Sequence, residues 1–376
     1  MARVKSIAEG EVKEDAERRM AGSITSHPIS GPAHSTGSGE VDATTRSLRE
    51  AVEGGTKCRL VFCGTPEFAV PALEAVIAAG HEVVLAVTQP DRAAGRGMEM
   101  QASAVKRLAA VHGIPVAQPE KIRSNAEFRL QLEAARPDTI LVVAYGRILP
   151  RWMLELPRLG CINLHGSLLP KYRGAAPVQW AVANGERVTG VTTMRIDEGL
   201  DTGEMLLARA VPIAAEETAV EVFHSLAEVG ADLMVETLAG LARGTLVGRK
   251  QVEAEATLAP ILTREDGAID FARTARQVYD RWRGFQPWPG AYTSLRGKKL
   301  IVHRMHVGTE EGMEVGVLRV RGEEMMAGCG GSPQGGSQNG ASVVVLDEVQ
   351  LEGKRRMSAA EFLRGFQVRS GERLGL

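Results

Sequence analysis

The sequence predicts an α/β protein in which a doubly wound, mostly parallel sheet is followed by a small, OB-like C-terminal β-barrel. Three observations carry that reading. From Arg59 onward, short β-branched runs alternate with amphipathic helical stretches, the pattern of a parallel sheet covered by helices on both faces. Beyond Leu262 a helical stretch, ARTARQVYDRWRGF, gives way to WPGAYTSLRGKKLIVHRMHV, in which turn residues punctuate β-rich runs. The length of 376 residues also suits two domains of ordinary size, each with its own core.

RLVFCG, EVVLAVTQ, TILVVAYG and CINLH are predicted strands, with helices near 67 to 79, 102 to 112 and 125 to 135 between them. Thr65 reads as an N-cap, with Pro66 as the first helical residue. A strand at about 188 to 196, the loop GLDTGE at 199 to 204, a strand at 205 to 211 and a long helix at about 216 to 242 complete a domain spanning 58 to 244. Residues 245 to 262 read as a linker and 263 to 376 as the barrel, interrupted by a flexible Gly/Ser insertion at 328 to 342. Residues 1 to 57 are polar and without apolar period, so they are expected to be disordered. Glu9, Glu11, Glu14, Asp15 and Glu17 count against a transit peptide; an organellar address and a misassigned start codon stay open as alternatives for this segment.

The formal net charge of −1 makes the whole chain no evident polyanion binder, while leaving room for a local basic patch. No apolar run reaches eighteen residues, so no membrane span is expected. Cys58, Cys63, Cys161 and Cys329 form no CxxC pair and have no His at zinc-finger spacing; they are expected to be reduced thiols of a cytoplasmic protein, with no metal site.

In a parallel sheet, ligands bind outside the carboxyl ends of the strands, where GTPEF, TQPDR, AYGRI and LHGSL all fall. Asn163 and His165 are two residues apart in a strand and so point to one face. An amide can steady an oxyanion, and an imidazole beside it can move a proton near neutral pH, which is what acyl transfer to an amine requires. Alone, these two residues could equally terminate a strand, and Asp201 could cap a turn. GTPEFAVPAL has one Gly where a dinucleotide fingerprint needs GxGxxG, so it reads as a strand-to-helix turn. The Gly- and Arg-containing loop TQPDRAAGRG can cradle phosphate or be a solvated surface loop.

GTPEFAVPAL, TQPDRAAGRG, VVAYGRILP, CINLHGSLLP and GLDTGE, in this order and with these gaps, resemble the methionyl-tRNA formyltransferase family. The resemblance is strong over about 58 to 300 and weaker beyond. It implies a formyltransferase-like Rossmann variant that transfers formyl from 10-formyltetrahydrofolate to initiator methionyl-tRNA. It further implies Asn163, His165 and Asp201 as the catalytic residues. The folate would lie against Val143, Tyr145 and Gly146, with Ser167, Leu168, Leu169 and Pro170 lining its pocket. Phe68 would border the methionyl side chain. Arg96 would be the main tRNA contact, with Arg92 a lesser one.

The family commonly has basic residues after the GRG, whereas this chain has Met98, Glu99 and Met100, which leaves more of the grip to Arg96. From 263 to 376 there are seventeen Lys and Arg against fourteen Asp and Glu, and Lys298 and Lys299 belong to a candidate basic face. A monomer is expected. Two other functions fit parts of the pattern: a small-molecule formyltransferase acting on an amino sugar nucleotide or ribonucleotide, and a non-catalytic RNA-binding protein. The GRG loop and the PWPGA turn weigh against the first, and the intact Asn, His and Asp set against the second.

Overall fold

The computed structural model describes residues 57–94, 99–331 and 343–375. The expected disordered segment and most of the Gly/Ser insertion therefore lie outside the described residues, as does Arg96. The chain divides into two compact units. Of the described residues, one holds those up to Pro177 with Val188–Pro212 and Phe223–Ile261; the other holds those of Val178–Arg187, Ile213–Val222 and Leu262 onward.

The first unit is built on β1 (Arg59–Gly64), β2 (Glu82–Val87), the hairpin β3 (Arg92–Ala94) and β4 (Glu99–Gln101), β5 (Val116–Ala117), β6 (Thr139–Val143), β7 (Cys161–His165), β8 (Arg173–Gly174), β9 (Val188–Arg195), β10 (Met205–Pro212) and β11 (Leu258–Ala259). Seven of these form one sheet in the order β10-β9-β7-β6-β1-β2-β5. β5, β2, β1, β6 and β7 are parallel, while β9 and β10 add antiparallel strands at one side. The chain leaves β1 toward β2 on one side and later returns to β6 on the other, the crevice-forming reversal at which such sheets bind ligands.

Helices α1 (Val70–Ala78), α2 (Ala104–Val111), α3 (Ala126–Ala135), α4 (Arg151–Leu154), α5 (Pro177–Ala183) and α6 (Ala219–Ala242) follow in chain order, α5 from Val178 onward and α6 up to Val222 being counted with the second unit. Caps match the local sequence: Ser103 accepts from Lys106 N at the start of α2, and Asn125 from Phe128 N at the start of α3. Thr65 departs from expectation. A 3₁₀ turn over Glu67–Ala69 precedes α1 and has Pro66 as its N-cap, without a side-chain cap bond. The Thr65 hydroxyl instead accepts from Gln89 N at 3.3 Å and points at Tyr145 O at 3.5 Å, so it joins the ends of three strands rather than starting a helix.

The central strands β1 and β6 are apolar on both faces, as burial between two helical layers demands. Val61, Cys63, Ile140, Val142 and Cys161 enter a core with Phe128, Leu132 and Met153. Leu60, Phe62, Leu141, Ile162 and Leu164 are buried as well, on the alternating positions of the same strands. Gly230 of α6 allows close approach to β7: a Cβ there would come 2.6 Å from Leu164 Cδ2.

The second unit contains α7 (Ala275–Gly284), β12 (Tyr292–Leu295), β13 (Lys298–Val307), β14 (Leu318–Arg321), β15 (Glu324–Gly328), β16 (Val343–Leu351), β17 (Met357–Ser358) and α8 (Ala359–Phe366). Its antiparallel sheet runs β12-β13-β16-β15-β14, with β17 on β16. The sheet curls into a half-barrel. Its edges β12 and β14 are not paired with each other; Leu374 bridges to Leu295 and Arg373 to Val317 near the two edges. Capping boxes from Thr274 with Gln277 and Ser358 with Glu361 open α7 and α8, which cover the core around Val302, Met325 and Leu346.

Gly190 in β9 is a test of how tightly the sheet supports the loop after β7. A Cβ there would sit 2.3 Å from Arg209 O and 2.5 Å from Leu168 Cδ2. Gly190→Ala is expected to lower stability by about 1–3 kcal/mol through overpacking, read as a shift of the urea midpoint.

Candidate active site

Asn163 and His165 lie on β7 beside Val142 of β6, and opposite Met194 and Thr192 of β9. Their alternation places both side chains on one face. Asn163 is half-buried, and its amide has no hydrogen-bond partner among the described residues. The His165 ring is buried, and its Nε2 lies 2.9 Å from Tyr172 O. A carbonyl only accepts, so Nε2 carries a hydrogen, and Nδ1 is the nitrogen turned toward Asp201. Tyr172 holds its carbonyl there from a left-handed conformation, φ 60, fixed by its own N–H donating to Thr257 Oγ1 at 2.8 Å.

Asp201 Oδ2 lies 3.7 Å from His165 Nδ1 and accepts from Gly174 N at 2.8 Å. The first distance exceeds direct hydrogen-bond length and suits either a bridging water or a small rotation on substrate binding. Asp201 is itself left-handed, φ 53, in a loop drawn tight by Asp197 Oδ1, which accepts from Gly199 N and Thr202 Oγ1. Gly203 follows it, and a Cβ there would overlap Arg195 O at 1.8 Å.

The loop from Ser167 to Pro170 is held from behind by Thr192. Its hydroxyl donates to Ser167 O at 2.7 Å and accepts from Leu169 N at 3.2 Å. Ser167 Oγ donates to Lys171 O, so this hydroxyl is spent on the loop's own backbone. Leu168 is half-buried, while Leu169 and Pro170 are buried. Thr192→Val would strand a buried carbonyl and N–H and is expected to cost about 1–3 kcal/mol of stability in chemical denaturation.

Beyond β6, Val143 is buried in the strand and Ala144 and Gly146 have positive φ. The Tyr145 ring is buried in the core, and its hydroxyl has no hydrogen-bond partner among the described residues. Burial pushes that phenol well above its ordinary value. Tyr145 O accepts from Gln89 Nε2 at 2.9 Å, and Gln89 Oε1 accepts from Arg92 Nη2 at 2.7 Å. Arg92 is thus tied to the rim, on β3, which pairs antiparallel with β4.

Phe68 is buried against Phe223, with ring centroids 4.5 Å apart. Lys298 and Lys299 are exposed on β13 of the second unit, Lys299 Nζ lying 3.8 Å from the Tyr292 ring centre. All four cysteines are buried free thiols; burial pushes Cys161 up to about 12 and Cys63 well above its ordinary value, so neither supplies a thiolate nucleophile at neutral pH.

Sequence reasoning missed several residues that build this site: Tyr172, Arg173, Thr192, Gln251 and Thr257. Tyr172 and Arg173 sit inside the KYRG stretch that follows CINLHGSLLP, which was a usable signal. Gln251 and Thr257 lie about fifty residues beyond Asp201 in a polar stretch with no motif, and only the tertiary fold brings them back.

A model for formyl transferases matches residues 58–238, and one for the formyl transferase C-terminal domain matches residues 261–367. The methionyl-tRNA formyltransferase of Acidobacterium capsulatum is 61% identical over 84% of this chain and 99% of its own length. The chain belongs to the methionyl-tRNA formyltransferase family. Its relative from Koribacter versatilis is 54% identical over 84% of this chain and 98% of its own length. Among solved structures, an N-formyltransferase from Helicobacter canadensis in complex with folinic acid and dTDP-3-aminofucose has a TM-score of 0.56 at 19% identity, covering 77% of this chain and 98% of that one. HypX from Aquifex aeolicus in complex with tetrahydrofolic acid has a TM-score of 0.55 at 17% identity, covering 82% of this chain and 47% of that one. These two share the fold of this formyltransferase-family chain.

The rim also has an acid-sensitive contact. The Asp91 carboxyl is held below its ordinary value because Lys106 Nζ donates to it at 2.5 Å; burial opposes the shift and Gln118 adds to it. A depressed folded-state value contributes stability that is fully present above the unfolded value of about 3.9 and is lost as pH falls through the folded one. The stability difference between the parent and Asp91→Asn should therefore be present at pH 7 and shrink below about pH 4, in denaturation series across that range.

Proposed function

We propose that the chain transfers the formyl group of 10-formyltetrahydrofolate to the α-amino group of initiator methionyl-tRNA. The observation that carries this reading is His165, held through Nε2 by Tyr172 O with Nδ1 facing Asp201, on the same strand face as the uncommitted Asn163 amide. The amine nitrogen bonds to the formyl carbon as the carbonyl electron pair moves to oxygen. Asn163 donates to that oxyanion, and a proton on His165 Nδ1 adds a charge-assisted hydrogen bond. The attacking amine gives its proton to Asp201, directly or through water. Collapse breaks the bond from carbon to N10 of the folate, which leaves with the electron pair and takes up the proton that Asp201 received, directly or through water.

The folate is placed with its pterin against the backbone at Val143, Tyr145 and Gly146, the first two side chains being buried, and its formyl end at Ser167, Leu168, Leu169 and Pro170. In support, the same rim carries half-buried Leu168 and exposed Ile148, apolar surface that a flat heterocycle would cover. Phe68 is assigned to the methionyl side chain. Arg96 is assigned the main tRNA contact, with Arg92 and the exposed Lys298 and Lys299 as further phosphate partners. Arg92 reaches phosphate only by sharing or leaving Gln89. Every catalytic group comes from one chain, which suits a monomer, and an acceptor made of charged tRNA suits a compartment in which translation runs, assigned here as the cytoplasm.

The test is formylation of charged initiator methionyl-tRNA by purified protein with 10-formyltetrahydrofolate. Asn163→Ala should lower kcat by about 10²–10³-fold, the cost of one oxyanion donor. A fully active Asn163→Ala protein would remove the mechanism. Formylation of a free amino sugar nucleotide without any of charged tRNA would overturn the acceptor.

A further inference from the structure

A non-glycine residue at φ 53 needs support from outside its loop, and Asp201 carries a carboxylate whose placement within a few tenths of an ångström decides what it can do. One support is Gly174 N, which donates to the carboxylate. The other comes from a distant part of the chain. Gln251 Nε2 donates to Asp201 O at 2.7 Å and to Gly203 O at 2.8 Å.

The direction of that amide is fixed by its partners. Gln251 Oε1 accepts from Arg173 Nε at 3.0 Å, and a guanidinium has nothing to accept with. Two carbonyls on one side and an obligate donor on the other leave a single productive orientation. Arg173 is 4% exposed and is itself held by both oxygens of Glu253, at 2.9 and 3.0 Å. Arg173 and Gly174 are consecutive, so one two-residue strand grips the Asp201 loop twice: Gly174 by the carboxylate, Arg173 through Gln251 by the backbone.

The segment carrying Gln251 is pinned on both sides. Arg249 and Met205 exchange two backbone hydrogen bonds at 2.8 and 2.9 Å, and β11 pairs with β8. A Cβ at Gly174 would meet Ala259 O at 2.6 Å, so this pairing tolerates no side chain there.

We propose that Gln251, oriented by Arg173, is the positioning residue that sets Asp201 against His165. It acts on the rate of formyl transfer and not on the binding of either substrate, since its polar atoms are spent on Arg173 and the loop carbonyls. The proposal rests on the formyl-transfer reading above.

Gln251→Glu is the discriminating variant. A carboxylate keeps the bond from Arg173 and most of the packing, but it cannot donate to Asp201 O and Gly203 O. The expected result is a kcat lowered about a hundred-fold, with KM for 10-formyltetrahydrofolate and for methionyl-tRNA unchanged. Placed on an Asp201→Asn background, the same change should cost nothing further, because its route to the chemistry is already gone. Gln251→Leu, which removes both functions without adding a charge, covers the case in which the Glu protein fails to fold. A crystal structure of the variant should show the Asp201 carboxylate moved away from His165.

Parent-like kcat, additive losses in the double variant, or an Asp201 unmoved in the crystal would each overturn the proposal. If the parent itself formylates no charged tRNA, the functional reading fails, while the position of Asp201 in the variant crystal still decides this one.

Discussion

A one-residue slip of β7 against β6 and β9 would turn Asn163 and His165 to the opposite face of the sheet and bring Ile162 and Leu164 out in their place. Everything at the rim depends on that register. It is held by buried apolar residues and not by the site: Ile162 and Leu164 are almost wholly covered, and Gly230 lets α6 press on Leu164. Two polar side chains at the end of a strand can be spared for chemistry because the residues between them carry the packing.

The site then grows by accretion of backbone groups. His165 is oriented by a carbonyl, Asp201 by an N–H, and the Ser167–Pro170 loop by a hydroxyl that serves one N–H and one carbonyl. Backbone dipoles cost no side-chain entropy to aim, and in a buried setting they hold their partners firmly. The left-handed Tyr172 and Asp201 are where the aiming required an unfavourable conformation, and both are secured by the segment from Gln251 to Thr257.

Electrostatics at the rim follows the same economy. Arg92 is engaged by Gln89, which also holds the Tyr145 carbonyl, so the loop after β2 and the loop after β6 share one polar joint. Lys106, Asp91 and Gln118 form a second joint beside it. Arg92 and Lys106 at the rim are therefore already partnered within the protein. A phosphate would compete with these bonds, so its contribution is smaller than a count of arginines suggests.

The sequence by itself determined the alternation of strands and helices, the pairing of Asn163 with His165 on one face, and the gathering of the motifs at one rim. Those follow from local periodicity and from the geometry of parallel sheets, both of which are written residue by residue. It misjudged Thr65, because a Thr-Pro pair before a helix looks like a cap whether or not its hydroxyl is claimed by Gln89 and Tyr145. It was silent on Gln251 and Thr257, and on which nitrogen of His165 faces Asp201. Those were decided by the tertiary structure alone, because hydrogen bonds between residues tens of positions apart leave no period or spacing in the chain; they exist only once the sheet has fixed where each loop returns.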